Sequence, residues 1–350
     1  MTQKRVGYHG KSVFVGLDVH KEFYQMVCRC NKVVVKKARV IADPEQTAAS
    51  LCKWFEGAKI HSAYEAGFSG FGLHRVLIRH GIKNIVINPA SVAQAPGDRV
   101  KTDDRDADKF SEQLEAGQLE AIYVPSESQE YDRQLTRTRE QVVKKRACTA
   151  RQIKSKLHYF GLMKRDDNRL ITNRYLKEIE NLRLDQTLKF SFGLLISDWR
   201  YQTRQLIEVR QKMQEQAKKS RDFEEIYRSV PGIGQVTARV FSNELGDLSR
   251  FPNVKALYQY LGFTPWEDSS GSRIRRGHIS RQGSSRLRYL LVEAAWRAIN
   301  KDANLREKFD RIAKTRGSKR AIVAVARNLI GRIRACFNAG SFYVKAPMSV

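Results

Sequence analysis

The chain predicts an α/β domain at its N-terminal end, followed by a mainly α-helical remainder. Three observations carry this reading. Residues 1–124 hold three β-rich runs followed by alternating helix and strand. Residues 125–228 contain almost no Pro or Gly and step in apolar residues at helical spacing. Residues 229–350 resume turn signals, with a Pro-Gly-Ile-Gly turn and a Ser/Gly/Arg-rich stretch set among helices. These shifts set the expected domain boundaries.

Val13, Val15 and Leu17 alternate with Phe14 and Gly16, and the run ends in Asp18. Phe23 to Cys30 and Lys32 to Val40 are two further β-rich runs, parted by a turn at Asn31. Asp43 to Glu56 reads as a helix capped by Asp43 with Pro44 in its first position. A strand from Lys59 to Tyr64 ends in Glu65. Helix from Phe71 to His80, strand from Asn84 to Ile87, helix from Asp104 to Gly117 and a last strand from Ala121 to Val124 complete the domain. Three meander strands followed by alternating helix and strand is the order of a ribonuclease-H-like fold. Asp18, Glu65, Asp103 and Asp106 fall at the ends of its elements.

Arg99 to Phe110, RVKTDDRDADKF, places four aspartates within six residues of a chain whose net charge is +27. Two arrangements satisfy them. Arg99, Lys101, Arg105 and Lys109 can pair with them along a solvated helix start. Alternatively, Asp103 and Asp106, three apart on one helix face, turn toward a hard, oxygen-liganded cation such as Mg²⁺.

With 64 Lys and Arg against 37 acids, the chain is built for a polyanion, nucleic acid first. Hydrophobic residues make up 41%, enough for a folded core. No apolar run approaches the ~18 residues of a membrane span, and no signal h-region follows the basic N-terminus. Cys28, Cys30, Cys52, Cys148 and Cys336 are scattered without a CxxC pair, which argues against zinc. The expectation is a reduced, cytoplasmic protein without a membrane partner.

In the middle segment, Leu195, Trp199, Gln202, Leu206, Val209 and Met213 step 4-3-4-3-4, a heptad seam. It predicts an antiparallel helical hairpin or coiled-coil stalk, its seam covered either within the chain or by a second copy. Arg133 to Lys156 is a helix dense in one sign of charge. Arg133, Arg137, Arg139, Lys144, Lys145 and Arg146 are therefore expected to contact phosphates.

Val230 to Gly234 forms a turn before a helix starting at Gln235. Gly232 and Gly234 would present backbone N–H groups to phosphate, as helix-hairpin-helix modules do; a plain glycine-rich helix entry accounts for them equally. Glu267 to Arg288, EDSSGSRIRRGHISRQGSSRLR, reads as a phosphate-binding loop with Arg273, Arg275, Arg276 and Arg281. A sharper reading makes one of its serines a nucleophile, with arginines stabilising the pentacoordinate charge. Leu287 to Asn300 is an apolar helix, Ala313 to Arg320 a basic turn, Ala321 to Phe337 a final amphipathic helix, and the tail to Val350 is loosely held.

GLDVHK (Gly16 to Lys21), YEAGFSG (Tyr64 to Gly70), VINPA (Val86 to Ala90), KTDDRDA (Lys101 to Ala107), PGIGQVTA (Pro231 to Ala238), YLGFTP (Tyr260 to Pro265) and Ser269 to Arg288 run in order along nearly the whole chain. This ordered set resembles the DEDD-type insertion-sequence transposases. In these mobile-element recombinases a RuvC-like, resolvase-type N-terminal domain precedes a C-terminal serine transposase domain. The resemblance implies catalytic and metal-binding roles for Asp18, Glu65, Asp103 and Asp106, with Mg²⁺ or Mn²⁺ as cofactor. It also implies that Ser270, five residues after Pro265 and directly before a glycine, is the nucleophile that forms a phosphoserine link to DNA; Ser269 is its neighbour. Further implied are DNA partners at element ends and target, a structured guide (bridge) RNA encoded by the element, and a homo-oligomer, dimer or tetramer, joined through the stalk. Two alternatives stay open from the residues themselves. One is a two-metal nuclease with water as nucleophile and Ser270 as a phosphate ligand; the other is a non-catalytic nucleic-acid-binding regulator.

Overall fold

A computed structural model of the chain describes residues 7–89, 103–163, 167–219, 221–270 and 273–348; the side chains of 103, 219, 221, 222, 267–270 and 273–276 lie outside the description. The chain divides into two compact units, residues 1–125 and 126–350.

In the first unit, β1 (Ser12–Val19), β2 (Phe23–Cys30) and β3 (Val33–Ile41) form an antiparallel meander. Asn31 and Lys32, both at positive φ (51° and 64°), make the two-residue turn between β2 and β3. Then come α1 (Pro44–Trp54), β4 (Lys59–Glu65), α2 (Gly72–Arg79), β5 (Lys83–Ile87) and α3 (Asp103–Glu115). The sheet order is β3-β2-β1-β4-β5, with β4 parallel to β1 and β5 parallel to β4. This is the arrangement expected of a ribonuclease-H-like fold. Asp43 caps α1, its Oδ1 accepting from the Gln46 N–H at 3.1 Å. The apolar alternation sorts the two faces of the sheet. Val13, Val15, Leu17, Met26 and Cys28 are fully buried in one cluster with Leu51 of α1 and Leu77 of α2. The opposite face of β1, β2 and β4 is covered by α3. The segment expected as a last strand, Ala121 to Val124, makes one isolated bridge from Ala121 to Ile87 instead.

The second unit opens on α4 (Glu127–Tyr159), α5 (Asn173–Glu180) and α6 (Gln186–Lys219). Polar ties show that α4 and α6 run antiparallel: Gln216 donates to Asp132 at 2.6 Å and Gln202 to Thr149 at 3.2 Å. Leu195 and Trp199, part of the expected seam, pack with Ile153 and Leu157 of α4. That part of the seam is thus covered within the chain.

After α7 (Arg221–Arg228) come α8 (Gln235–Leu245), α9 (Val254–Tyr260), a hairpin of β6 (Pro265–Ser270) and β7 (Arg273–Ile279), and then α10 (Ser285–Ala298), α11 (Ala303–Arg316) and α12 (Ser318–Ala339). Ala321, Val325, Leu329 and Ile333 form a fully buried stripe on α12, at four-residue spacing, in one core with Phe241 of α8 and Leu291 of α10.

Three expectations for this unit are corrected. The Ser/Gly/Arg stretch is not one loop, because Glu267, Asp268, Ser269 and Ser270 pair antiparallel with Arg276, Arg275, Ile274 and Arg273. The basic turn expected from Ala313 to Arg320 is a single-residue break at Gly317 between two helices. Nor is the tail loose throughout. Tyr343 is 9% exposed, and its hydroxyl donates to fully buried Asp302 at 2.8 Å and accepts from Arg332 at 2.9 Å.

Candidate active site

The first-unit site begins with β1. Its pairing with β4 runs to Leu17 opposite Tyr64, so Asp18 and Glu65 are the next residues on two adjacent parallel strands. Neighbouring strands lie about 4.8 Å apart. Leu17 and Tyr64 both point into the core shared with α1 and α2. Because side chains alternate along a strand, Asp18 and Glu65 lie on the other face, the one covered by α3.

Gly16 determines how close α3 comes. A Cβ there would lie 2.0 Å from the Ala107 carbonyl oxygen and 2.5 Å from the Ser111 nitrogen, so only glycine permits this backbone-to-backbone approach. Gly16 is two residues from Asp18 on the same face of β1, and Ala107 directly follows Asp106 on α3. The contact therefore brings the start of α3, with Asp103 and Asp106, to the end of the sheet that carries Asp18 and Glu65. The side chain of Asp103 lies outside the described residues. Asp18 and Asp106 are half-buried, and Asp18 Oδ2 sits 3.1 Å from His20 Nε2.

The other two aspartates of the cluster hold the helix in place. Asp108 Oδ1 accepts from Arg29 Nη2 at 2.6 Å and from Arg29 Nε at 3.1 Å. Asp104 accepts from Gln25, which lies opposite Asp18 across β1 and β2. Glu115 at the far end accepts from the Lys32 backbone N–H at 2.7 Å. Sequence reading missed Arg29 and Gln25 as positioning residues. Their i,i+4 spacing on β2 marks one face, but nothing local says which helix that face meets.

Among the described residues no group of three His, Cys, Asp or Glu side chains converges at metal-binding distance. The donor set nevertheless fits a hard divalent ion: carboxylates from β1, β4 and α3 share one end of the sheet. Cys28 offers no competing ligand, since it is fully buried on the opposite face and burial pushes its thiol up to about 12.

The second-unit residues separate into structural and surface groups. Arg133 is corrected from a phosphate contact: it is buried and donates to the carbonyl oxygens of Asn243 and Glu244, each at 3.0 Å. Arg137 is likewise engaged, its Nε and Nη2 donating to the two carboxylate oxygens of Glu244 at 2.8 and 2.9 Å. Arg286 joins the same carboxylate at 3.0 Å. Together these arginines bind α4 to the C-terminal end of α8. Further along α4, Lys144 and Lys145 are exposed and Arg146 lies over the Trp199 ring at 5.5 Å. Burial, and then repulsion from Arg210, Arg146 and Arg286, lowers the Arg139 guanidinium. Positive charge is concentrated here.

Gly232, expected as an exposed N–H donor, is needed for packing. It has φ +89°, and a Cβ would sit 2.6 Å from the Ala294 carbonyl oxygen of α10. Gly234 is the N-cap residue of α8, with nothing within 4 Å of its Cβ position. Ser270 ends β6, its backbone opposite Arg273 of β7. The side chains of Ser270, Arg273, Arg275 and Arg276 lie outside the described residues; Arg281 is exposed at φ +57°.

A DEDD-type IS110 transposase family model matches residues 15–160, and a model described as "Transposase IS116/IS110/IS902 family" matches residues 224–310. The first span contains all four acids and the second contains Ser270. A putative transposase of Sinorhizobium fredii, y4qE, is 31% identical over 246 residues, covering 68% of this chain and 58% of that longer one. The transposase of insertion element IS1533 from Leptospira borgpetersenii is 27% identical, covering 82% of this chain and 85% of its own. The transposase of IS1111A from Coxiella burnetii is 24% identical, covering 89% and 86%. With one transposase model over the carboxylate unit, another over the serine hairpin, and relatives of the same kind spanning both, the chain belongs to the IS116/IS110/IS902 family of transposases.

Proposed function

We propose that this transposase mobilises an insertion element by divalent-metal-dependent DNA cleavage with a serine nucleophile, and that an RNA encoded by the element guides it. The observation that carries the metal half is the Gly16–Ala107 approach, which brings acids of β1, β4 and α3 to one end of the sheet. Asp18, Glu65, Asp103 and Asp106 would hold Mg²⁺ or Mn²⁺. When bound, the ion would neutralise charge on the scissile phosphate and on the departing oxygen.

Ser270 Oγ attacks phosphorus and its proton passes to solvent. The Oγ–P bond forms as the P–O3′ bond breaks, and the 3′ oxygen takes up a proton to leave as a free 3′-OH. The product is a 5′-phosphoserine link, which a 3′-OH of another strand can resolve by the reverse reaction. Arg273, Arg275, Arg276 and Arg281, on and beside the same hairpin, supply cations for the pentacoordinate charge. Arg139, Lys144, Lys145 and Arg146 track phosphates of DNA or guide RNA, and the start of α8 at Gly234 adds backbone N–H groups. Assembly into a dimer or tetramer through the α4–α6 stalk would let one protomer's serine serve another's acids.

The test is a denaturing gel of protein, Mg²⁺, the RNA flanking the gene and labelled element-junction DNA. A slow, protease-sensitive DNA adduct that disappears in Ser270→Ala and in Asp103→Asn is expected. Cleaved DNA without any adduct would replace serine by water as the nucleophile.

A further inference from the structure

A cleft of about 960 Å³ opens in the second unit between the β6–β7 hairpin and the junction of α11 with α12. Its volume lies at the top of the range of about 300–1,000 Å³ for small-ligand sites. Ile279 and Val323, both half-buried, contribute an apolar floor, and Arg281, Arg316, Lys319 and Arg320 stand around it, all four exposed. No acidic residue lines the cleft among the described residues, and none of these four cations is in an ion pair among them.

The placement of the cations is electrostatically unfavourable for the isolated protein. Gly317, at φ +77°, turns the chain between the two helices in a single residue, so Arg316 closes α11 where Lys319 and Arg320 open α12. The positive end of a helix dipole favours acids, yet the first turn of this 22-residue helix contains none, and its N-cap residue, Gly317, has no side chain to cap the first N–H groups. Two cations on that turn raise the local potential further. An anion seated at the corner relieves both costs.

A bare phosphate would use the rim and leave the apolar floor wet. A duplex presents phosphates while its bases stay stacked and out of reach. The ligand that satisfies rim and floor together is anionic at its edge and flat and apolar at its centre. We propose that this cleft holds an unpaired nucleotide of a polynucleotide strand, its base on the floor of Ile279 and Val323 and its flanking phosphates on Arg281, Arg316, Lys319 and Arg320. The hairpin that forms one wall at Pro265 and Ile279 carries Ser270 at its other end. A strand seated in the cleft is thereby held opened beside the hairpin.

The experiment is fluorescence anisotropy of the full chain carrying Ser270→Ala, in EDTA, so that no cleavage chemistry enters the readout. The probes are labelled oligothymidylate and oligouridylate of about twelve nucleotides, an abasic strand of equal length, and a duplex. Loss of the base's apolar contact with the floor predicts that the abasic strand binds about tenfold more weakly than oligothymidylate. Lys319→Ala with Arg320→Ala, both exposed positions, should weaken the oligothymidylate about tenfold and the duplex less than about threefold, and should lower the log–log salt slope for the single strand by about 1.4. Val323→Asp should erase the preference for a base over an abasic site; the abasic comparison in the unaltered floor tests the same point if that variant misfolds. Whichever of the thymidylate and uridylate strands binds more tightly names the source, DNA or RNA, of the same ligand chemistry. Equal binding of abasic and normal strands would overturn the proposal in favour of a bare phosphate track. An equal loss for duplex and single strand, or no loss at all, would overturn it too.

Discussion

Gly16→Ala is the most informative single change in the first unit. The added methyl would sit 2.0 Å from the Ala107 carbonyl oxygen, whereas real Cβ contacts essentially never fall under 3.0 Å. Both neighbours are backbone, so no side chain can swing aside; α3 must withdraw by about 1 Å or more. Overpacking of this kind costs about 1–3 kcal/mol, which lowers the melting temperature by several degrees. Displacing Asp103 and Asp106 from Asp18 and Glu65 by that distance should reduce the cleavage rate by about a hundredfold. Metal-dependent cleavage of junction DNA and calorimetric melting are measured on the same preparation. A Gly16→Ala protein that cuts DNA at the wild-type rate and melts at the wild-type temperature would refute the assignment of α3 as the third wall of the site.

Arg133→Ala, which leaves the Asn243 and Glu244 carbonyls unsatisfied, should destabilise the protein by about 2–3 kcal/mol without altering the salt slope of nucleic-acid binding. Lys144→Ala should do the reverse, leaving stability within about 0.5 kcal/mol and lowering the slope by about one counterion. Tyr343 is pushed up to about 12 from 10.0, chiefly by burial. A raised folded value means that its contribution to stability is complete below about pH 10 and is lost as pH climbs toward 12. Tyr343→Phe, measured by melting across that interval, should start less stable by about 1–3 kcal/mol, and its stability should decline less steeply with pH.

Local chemistry made much of the first unit legible. Asp43 and Pro44 announced α1, the alternation from Val13 to Leu17 announced a sheet with two different faces, and the strand and helix order announced the fold. What stayed hidden depends on partners distant in sequence. A run of arginines reads the same whether it meets phosphate or, as with Arg137, a carboxylate 107 residues away. Of the four clustered aspartates, the pairing of Asp108 with Arg29 and of Asp104 with Gln25 marks two as helix anchors, and nothing local in the sequence tells those two from Asp103 and Asp106. The β6–β7 hairpin was masked because Ile274 and Ile279 are thin apolar punctuation among arginines and serines. The tail read as loose because Asp302 and Ser229, which hold Tyr343, lie 41 and 114 residues back along the chain.

A single ion shared by acids from three separate elements would leave a direct chemical signature. Iron(II) bound in place of the natural metal, with ascorbate and peroxide, cuts the polypeptide near its own ligands. The protein should be cut at three places together, near residue 18, near residue 65 and between residues 103 and 106, and Asp18→Asn should suppress all three. Cuts near only one of these segments, or cuts that survive Asp18→Asn, would contradict a shared site.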